Sequence, residues 1–261
     1  MSKTFAATAA LAVLALAGAA NAQTAPGTWT LSLEAGSEMA TDGDVHEGAI
    51  APVADLGPLN PALAGVAAEL RIEPRSYDDI YGDAFNVGFE AAYGVSENAE
   101  AFGSVRYVKS DEGTVQVGGA FVPALATTLP VFGTFGDVET WAVEAGYRQY
   151  FGAGAIRPYV AGRLGVAFTD SVAATFAIPD ANILISDAPF YDGSTSLSAG
   201  IDLGVSWRVN DTLSLQAETG YRYVGELEDD DSAIGGLGLA SINNVGDRTY
   251  VPVTLRAKFA F

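Results

Sequence analysis

The 261 residues include no cysteine, a single histidine and only 13 basic side chains against 32 acidic ones. The missing cysteines remove any disulfide framework or thiolate metal site. A formal charge of −19 argues against nucleic acid and other polyanions as partners. Long apolar runs are also scarce. One occupies residues 5–20, behind Lys3 and ahead of Ala20-Asn21-Ala22. It falls short of the roughly 20 residues that a spanning helix needs, and its three-part pattern predicts a secretory signal peptide, residues 1–22, cleaved after Ala22. The next run, Ala120 to Phe135, is interrupted by Pro123 and Pro130, so no second spanning helix is expected. The expected organisation is an exported domain, residues 23–261, that is either a soluble periplasmic protein or a membrane barrel.

What is present favours β structure: 30 Gly, 13 Phe and 11 Tyr. The final stretch, Thr249 to Phe261, alternates with period two. Val251, Val253, Leu255, Ala257, Phe259 and Phe261 share one face, and Thr254, Arg256 and Lys258 lie on the other. Seven earlier segments repeat the pattern: Thr28 to Gly36, Phe85 to Val95, Ala99 to Lys109, Thr140 to Phe151, Ile156 to Phe168, Thr195 to Arg208 and Thr212 to Tyr223. Phe102 falls on the polar parity of the third. Three short turns alternate with four long connections, residues 37–82, 110–139, 169–193 and 225–247. This predicts an all-β fold, an eight-stranded antiparallel transmembrane up-and-down β-barrel. Alternation at Val66 to Glu73, and weakly at Thr114 to Gly118, is read as loop strands above the barrel; ten barrel strands are the alternative.

Aromatic positions separate this reading from a soluble sandwich. Trp29, Tyr93, Phe151, Trp207, Phe259 and Phe261 fall at one end of the strands, and Phe85, Tyr107, Trp141, Phe168 and Tyr221 at the other. Two aromatic girdles are the mark of a membrane barrel.

The four long connections carry 23 acids and only two bases, Arg71 and Arg75. Charges within the strands fall mostly on the inward parity: Glu34, Glu90, Glu100, Glu144, Asp202 and Glu218 against Arg106, Arg148, Arg157, Arg163, Arg208, Arg222, Arg256 and Lys258. Opposite charges inside a narrow barrel pair with one another. They predict a packed ion-pair network; a narrow gated pore is the alternative.

With its final strand ending in Phe and segments such as Glu144 to Phe151 (E-A-G-Y-R-Q-Y-F), the chain resembles the small outer-membrane β-barrels of Gram-negative bacteria, the OmpA membrane domain and the OmpX and OmpW types. The resemblance implies location in the cell outer membrane and contact with outer-membrane lipid and lipopolysaccharide. It also implies recognition of Phe259 and Phe261 by the barrel assembly machinery. Some barrels of this class are enzymes with a histidine beside Ser, Asp or Glu. Here His46 lies between Val45 and Glu47 in an acid-rich connection and is expected to be a solvated loop residue, so neither catalysis nor a cofactor is expected. Glu226, Glu228 and Asp230 are weak candidates for a divalent cation, since their run lacks the glycine and closing Glu of a Ca²⁺ loop. Diffuse cation binding that bridges these acids to lipopolysaccharide phosphates is the intermediate case. The expected function is a structural or surface-interaction role through acidic loops, with a narrow cation-preferring channel or small-solute transporter as the alternative.

Overall fold

The computed structural model describes residues 25–261; the predicted signal peptide lies outside the described residues. Sixteen strands follow in chain order. They are β1 (Trp29–Asp42), β2 (Asp44–His46), β3 (Ala49–Val53), β4 (Ala68–Ile72), β5 (Arg75–Ser76), β6 (Ala84–Ser96), β7 (Ala99–Ser110) and β8 (Gly113–Val122). The second half comprises β9 (Thr127–Phe135), β10 (Val138–Tyr150), β11 (Ile156–Thr169), β12 (Val172–Ile178), β13 (Ile183–Tyr191), β14 (Ser194–Arg208), β15 (Leu213–Val224) and β16 (Arg248–Ala260). A short helix, α1 (Tyr77–Ile80), precedes β6.

Eight of the strands close a barrel in the order β1-β16-β15-β14-β11-β10-β7-β6, and every pairing is antiparallel. Closure of β16 on β1 leaves no free edge among them. The alternation read from the sequence sets the two faces. Leu197, Ile201, Leu203, Val205 and Trp207 of β14 are exposed on the outside, while Ser198, Asp202 and Ser206 are buried inside. Aromatic residues pair across strands at both ends, Trp29 with Tyr93 at 5.1 Å between ring centroids and Tyr107 with Trp141 at 5.0 Å. Trp141 is also in register with Phe168.

The extra alternating segments do not widen the barrel to ten strands. They build a second sheet, in the order β13-β12-β9-β8-β4-β3. The β8–β9 and β12–β13 hairpins continue directly from β7 and β11. Pairing of Ala174 with Phe135 and of Glu69 with Phe121 then joins three separate connections into one surface. The sheet's two edges, β3 and β13, are bridged by residues 225–247, in which Asp229 pairs with Tyr191 of β13 and Gly238 approaches Ala51 of β3. This cap stands on the end of the barrel opposite the short turns.

Candidate functional site

Two compartments of opposite chemistry lie one above the other. The barrel lumen is filled by side chains that every one of the eight strands contributes. Nearest the short turns, Lys258 bonds Glu100, and the Tyr150 phenol donates to the same carboxylate at 2.8 Å. Arg157 donates to the Glu97 carbonyl and the Asn98 side-chain oxygen, tying the turn to the lumen floor. One tier up, Arg148 holds Glu90 through two bonds of 2.9 and 2.8 Å and also bonds Glu100.

Glu218 forms the middle tier. Its carboxylate accepts from Arg163 at 3.1 Å, Arg222 at 3.1 Å, Arg256 at 3.2 Å and Tyr159 at 3.0 Å, with Arg148 at 3.8 Å. Arg163 continues to Asp202 at 2.7 Å and to Glu144 at 3.1 Å, and Arg256 pairs with Glu34. Near the cap, Arg106 pairs with Glu38 and donates to Tyr250 at 3.0 Å. Seven carboxylates (Glu34, Glu38, Glu90, Glu100, Glu144, Asp202, Glu218) therefore face six cations (Arg106, Arg148, Arg163, Arg222, Arg256, Lys258), with Arg157 adjoining at the floor. Such near balance is what permits these charges to be buried, because an unpaired one would carry its full desolvation cost.

Most charges on the inward parity of the strands lie in this set, and the exceptions fall at its edges. Arg208, expected in the network, is only partly buried at the turn end of β14 and joins none of its ion pairs. Glu38 belongs to the network although it was expected in a loop, because β1 runs on to Asp42. Its spacing of four from Glu34 is the signal that could have found it. Phe102, the apparent misfit, is a lumen residue with the Arg148 and Arg163 guanidinium carbons 4.7 and 5.4 Å from its ring centroid. Gly146 makes the room: a Cβ there would lie 2.2 Å from the Phe102 ring.

Above the lumen, the cap has an apolar core. Leu70, Val117, Val131, Phe135, Ile178, Ile183 and Phe190 from the sheet meet Ile234, Leu239 and Ile242 from the fourth connection. Apart from Phe135 and Phe190, these residues line a cavity of about 50 Å³. His46 lines it and is 1% exposed, contrary to the expectation of a solvated residue. Its ring stacks on Phe135 at 5.6 Å and meets Phe190 edge-on at 6.3 Å. Nδ1 lies 3.0 Å from the Glu47 carbonyl, so it carries the proton and donates; Nε2 has no partner. Burial pushes the imidazole below its ordinary pKa; the Glu47 bond opposes the shift, Arg75 adds to it and Asp44 opposes it. The floor between the compartments is aromatic and polar. Tyr77 donates to the Gly246 carbonyl, Tyr81 to the Gly136 carbonyl, and Arg248 to Thr140.

The cation candidates do not converge. Glu226 and Glu228 are exposed on either side of buried Leu227, and Asp230 accepts from the Ser232 amide. Among the described residues no three His, Cys, Asp or Glu side chains gather as a metal site. Phe259 and Phe261 lie at the turn end of the barrel, where the Phe261 amide reaches the Trp29 carbonyl.

The eight antiparallel strands form a closed barrel, apolar outside and charged inside, with aromatic residues at both rims. This is the outer-membrane β-barrel fold. Solved structures similar to the chain include Neisserial surface protein A (14% identity, TM-score 0.43, covering 90% of this chain and 97% of that one). The N-terminal β-barrel domain of Pseudomonas aeruginosa OprF has 12% identity and a TM-score of 0.36, over 92% of this chain and 98% of its own. Ail, the attachment invasion locus protein of Yersinia pestis, has 12% identity and a TM-score of 0.38, over 90% and 99%. No protein-family model matches the sequence, and no curated protein matches it. In this barrel the lumen network and the capped His46 are the two features with candidate function.

Proposed function

We propose that the protein resides in the outer membrane of a Gram-negative cell as a closed, non-conducting barrel and acts at the cell surface through its cap. The observation that carries this reading is the lumen: ion-paired side chains from all eight strands are buried across its middle, with Arg148 and Glu90 fully inaccessible. The apolar core of the cap adds a second closure above it. Acidic residues on the outside of the cap suit contact with lipopolysaccharide phosphates through divalent cations, and the exposed apolar band of the barrel suits lipid. His46 supports a non-catalytic reading, since its Nδ1 bonds a main-chain carbonyl and its neighbours are aromatic and aliphatic.

Refolded protein in a planar bilayer at neutral pH is expected to give no discrete conductance steps. Stable cation-selective openings would instead establish the narrow channel. The membrane location has its own test. Leu203, on the outward face of β14, is 60% exposed and pairs with Val160 and Thr219. Leu203→Arg is expected to lower stability in lipid vesicles by about 2–4 kcal/mol, read from urea unfolding. A change near zero would mean that this face does not meet hydrocarbon.

A further inference from the structure

The cap is fastened at one short segment. β2 pairs with β5, the Tyr191 phenol at the end of β13 donates to the Val45 carbonyl, and the Glu47 amide donates to the Ile242 carbonyl of the fourth connection at 2.6 Å. Three of the four long connections therefore meet within Val45–Glu47. His46 is the middle residue, and its side chain points into the apolar core that all four connections enclose.

We propose that His46 is an acid-sensitive latch: protonation of its ring releases the fourth connection from the cap and uncovers the mouth of the barrel. Neutral imidazole satisfies Nδ1 at the Glu47 carbonyl and leaves Nε2 as an unprotonated atom against hydrocarbon. Imidazolium would place a positive charge and a second N–H donor among Phe135, Phe190, Ile234, Leu239 and Ile242, none of which can accept it.

The charged groups around the ring do not offset this cost. Asp44 and Glu47 lie on its own segment, and both have side chains at the outer surface. Arg75, on the paired strand β5, is positive and already pairs with Glu73. β9 presents Phe135, and β13 presents Phe190 and the Tyr191 phenol, which is committed to Val45. The fourth connection presents isoleucine and leucine. Opening returns the ring to water, where it titrates near its ordinary value of 6.5.

Burial holds the folded-state pKa below 6.5, so the stability it represents is complete above 6.5 and is lost as pH falls toward the folded-state value. Across that window the ratio of open to closed cap rises about tenfold for each pH unit.

Because the chain has one histidine, the test has a single reporter. Refolded full-length protein labelled with ¹⁵N-histidine is titrated from pH 8 to 4.5 in detergent micelles, with papain cleavage in residues 225–247 followed in parallel. The expected result is a ring that stays in the neutral Nδ1–H form below pH 6.5, protonating only as cleavage accelerates by tenfold or more. His46→Phe keeps an aromatic ring at the site and is expected to remove the acceleration. Protonation at the ordinary value with no change in cleavage would overturn the proposal, as would the same acid-induced cleavage in the Phe variant. Should that variant fail to fold, the wild-type titration decides alone: a ring that titrates independently of cap opening is not a latch. A silent bilayer at neutral pH bears on the proposed function and leaves this measurement unaffected.

Discussion

Glu218→Gln is expected to lower the unfolding free energy of the barrel by about 3–5 kcal/mol, whereas Arg208→Ala changes it by less than about 0.5 kcal/mol. The amide fits the same space and removes one negative charge from a point where Arg163, Arg222 and Arg256 converge within 3.2 Å and Arg148 stands at 3.8 Å. Those guanidiniums cannot be deprotonated, and the lumen leaves them no route to water. Arg208 carries the same charge as its neighbours in the sequence pattern, yet it lies at the strand end, where solvent already serves it. Urea unfolding in lipid vesicles, read by tryptophan fluorescence, measures the difference, since Trp29, Trp141 and Trp207 all sit on the barrel exterior. Equal effects of the two substitutions would mean that the network does not act as a unit.

Phe135→Ala should act on the other compartment. Phe135 is fully buried and meets His46, Phe176 and Phe190 at centroid distances of 5.3–6.0 Å. Truncating it removes a ring from the centre of the cap at a cost of about 3–5 kcal/mol. A core of this size has little stability to spare. The cap should therefore become cleavable by papain at neutral pH while the tryptophan-detected unfolding of the barrel stays within about 0.5 kcal/mol of wild type. A loss shared equally by both signals would show that cap and barrel unfold as one.

The barrel was legible because its strands obey a period of two over nine or more residues, and a charge on the wrong parity would face hydrocarbon. Leu197 to Arg208 needs nothing beyond that rule to be placed. Depth along a strand is a different quantity, and parity does not report it. Arg208 has the right face and the wrong height. Phe102 shows the converse, a correct parity that looked like an error because a ring was not expected among guanidiniums.

Two strands of the cap, β4 and β8, were legible from their alternation, but their assembly into one sheet was hidden for a topological reason. Its strands are short, several are interrupted by Pro or Gly, and their partners lie in other connections, as with Ala174 against Phe135. The usable signal was compositional. Leu56, Leu70, Phe135, Phe190, Ile234 and Ile242 are more apolar bulk than solvated loops retain, and acidic residues between them masked it. His46 was misjudged with the same loops, since a lone histidine acquires meaning only from what surrounds it.

The position of the cations along the chain has a consequence for assembly. β16 brings Arg256 and Lys258, the partners of Glu34, Glu218 and Glu100. Until β16 zips between β15 and β1, the forming sheet therefore holds a surplus of negative charge on its concave side, which keeps that side wet. The last hydrogen-bonded seam and the last act of neutralisation are the same event. A partly closed sheet is thus penalised twice, by its open edge and by its unmatched field, and completion of the cylinder becomes all-or-none.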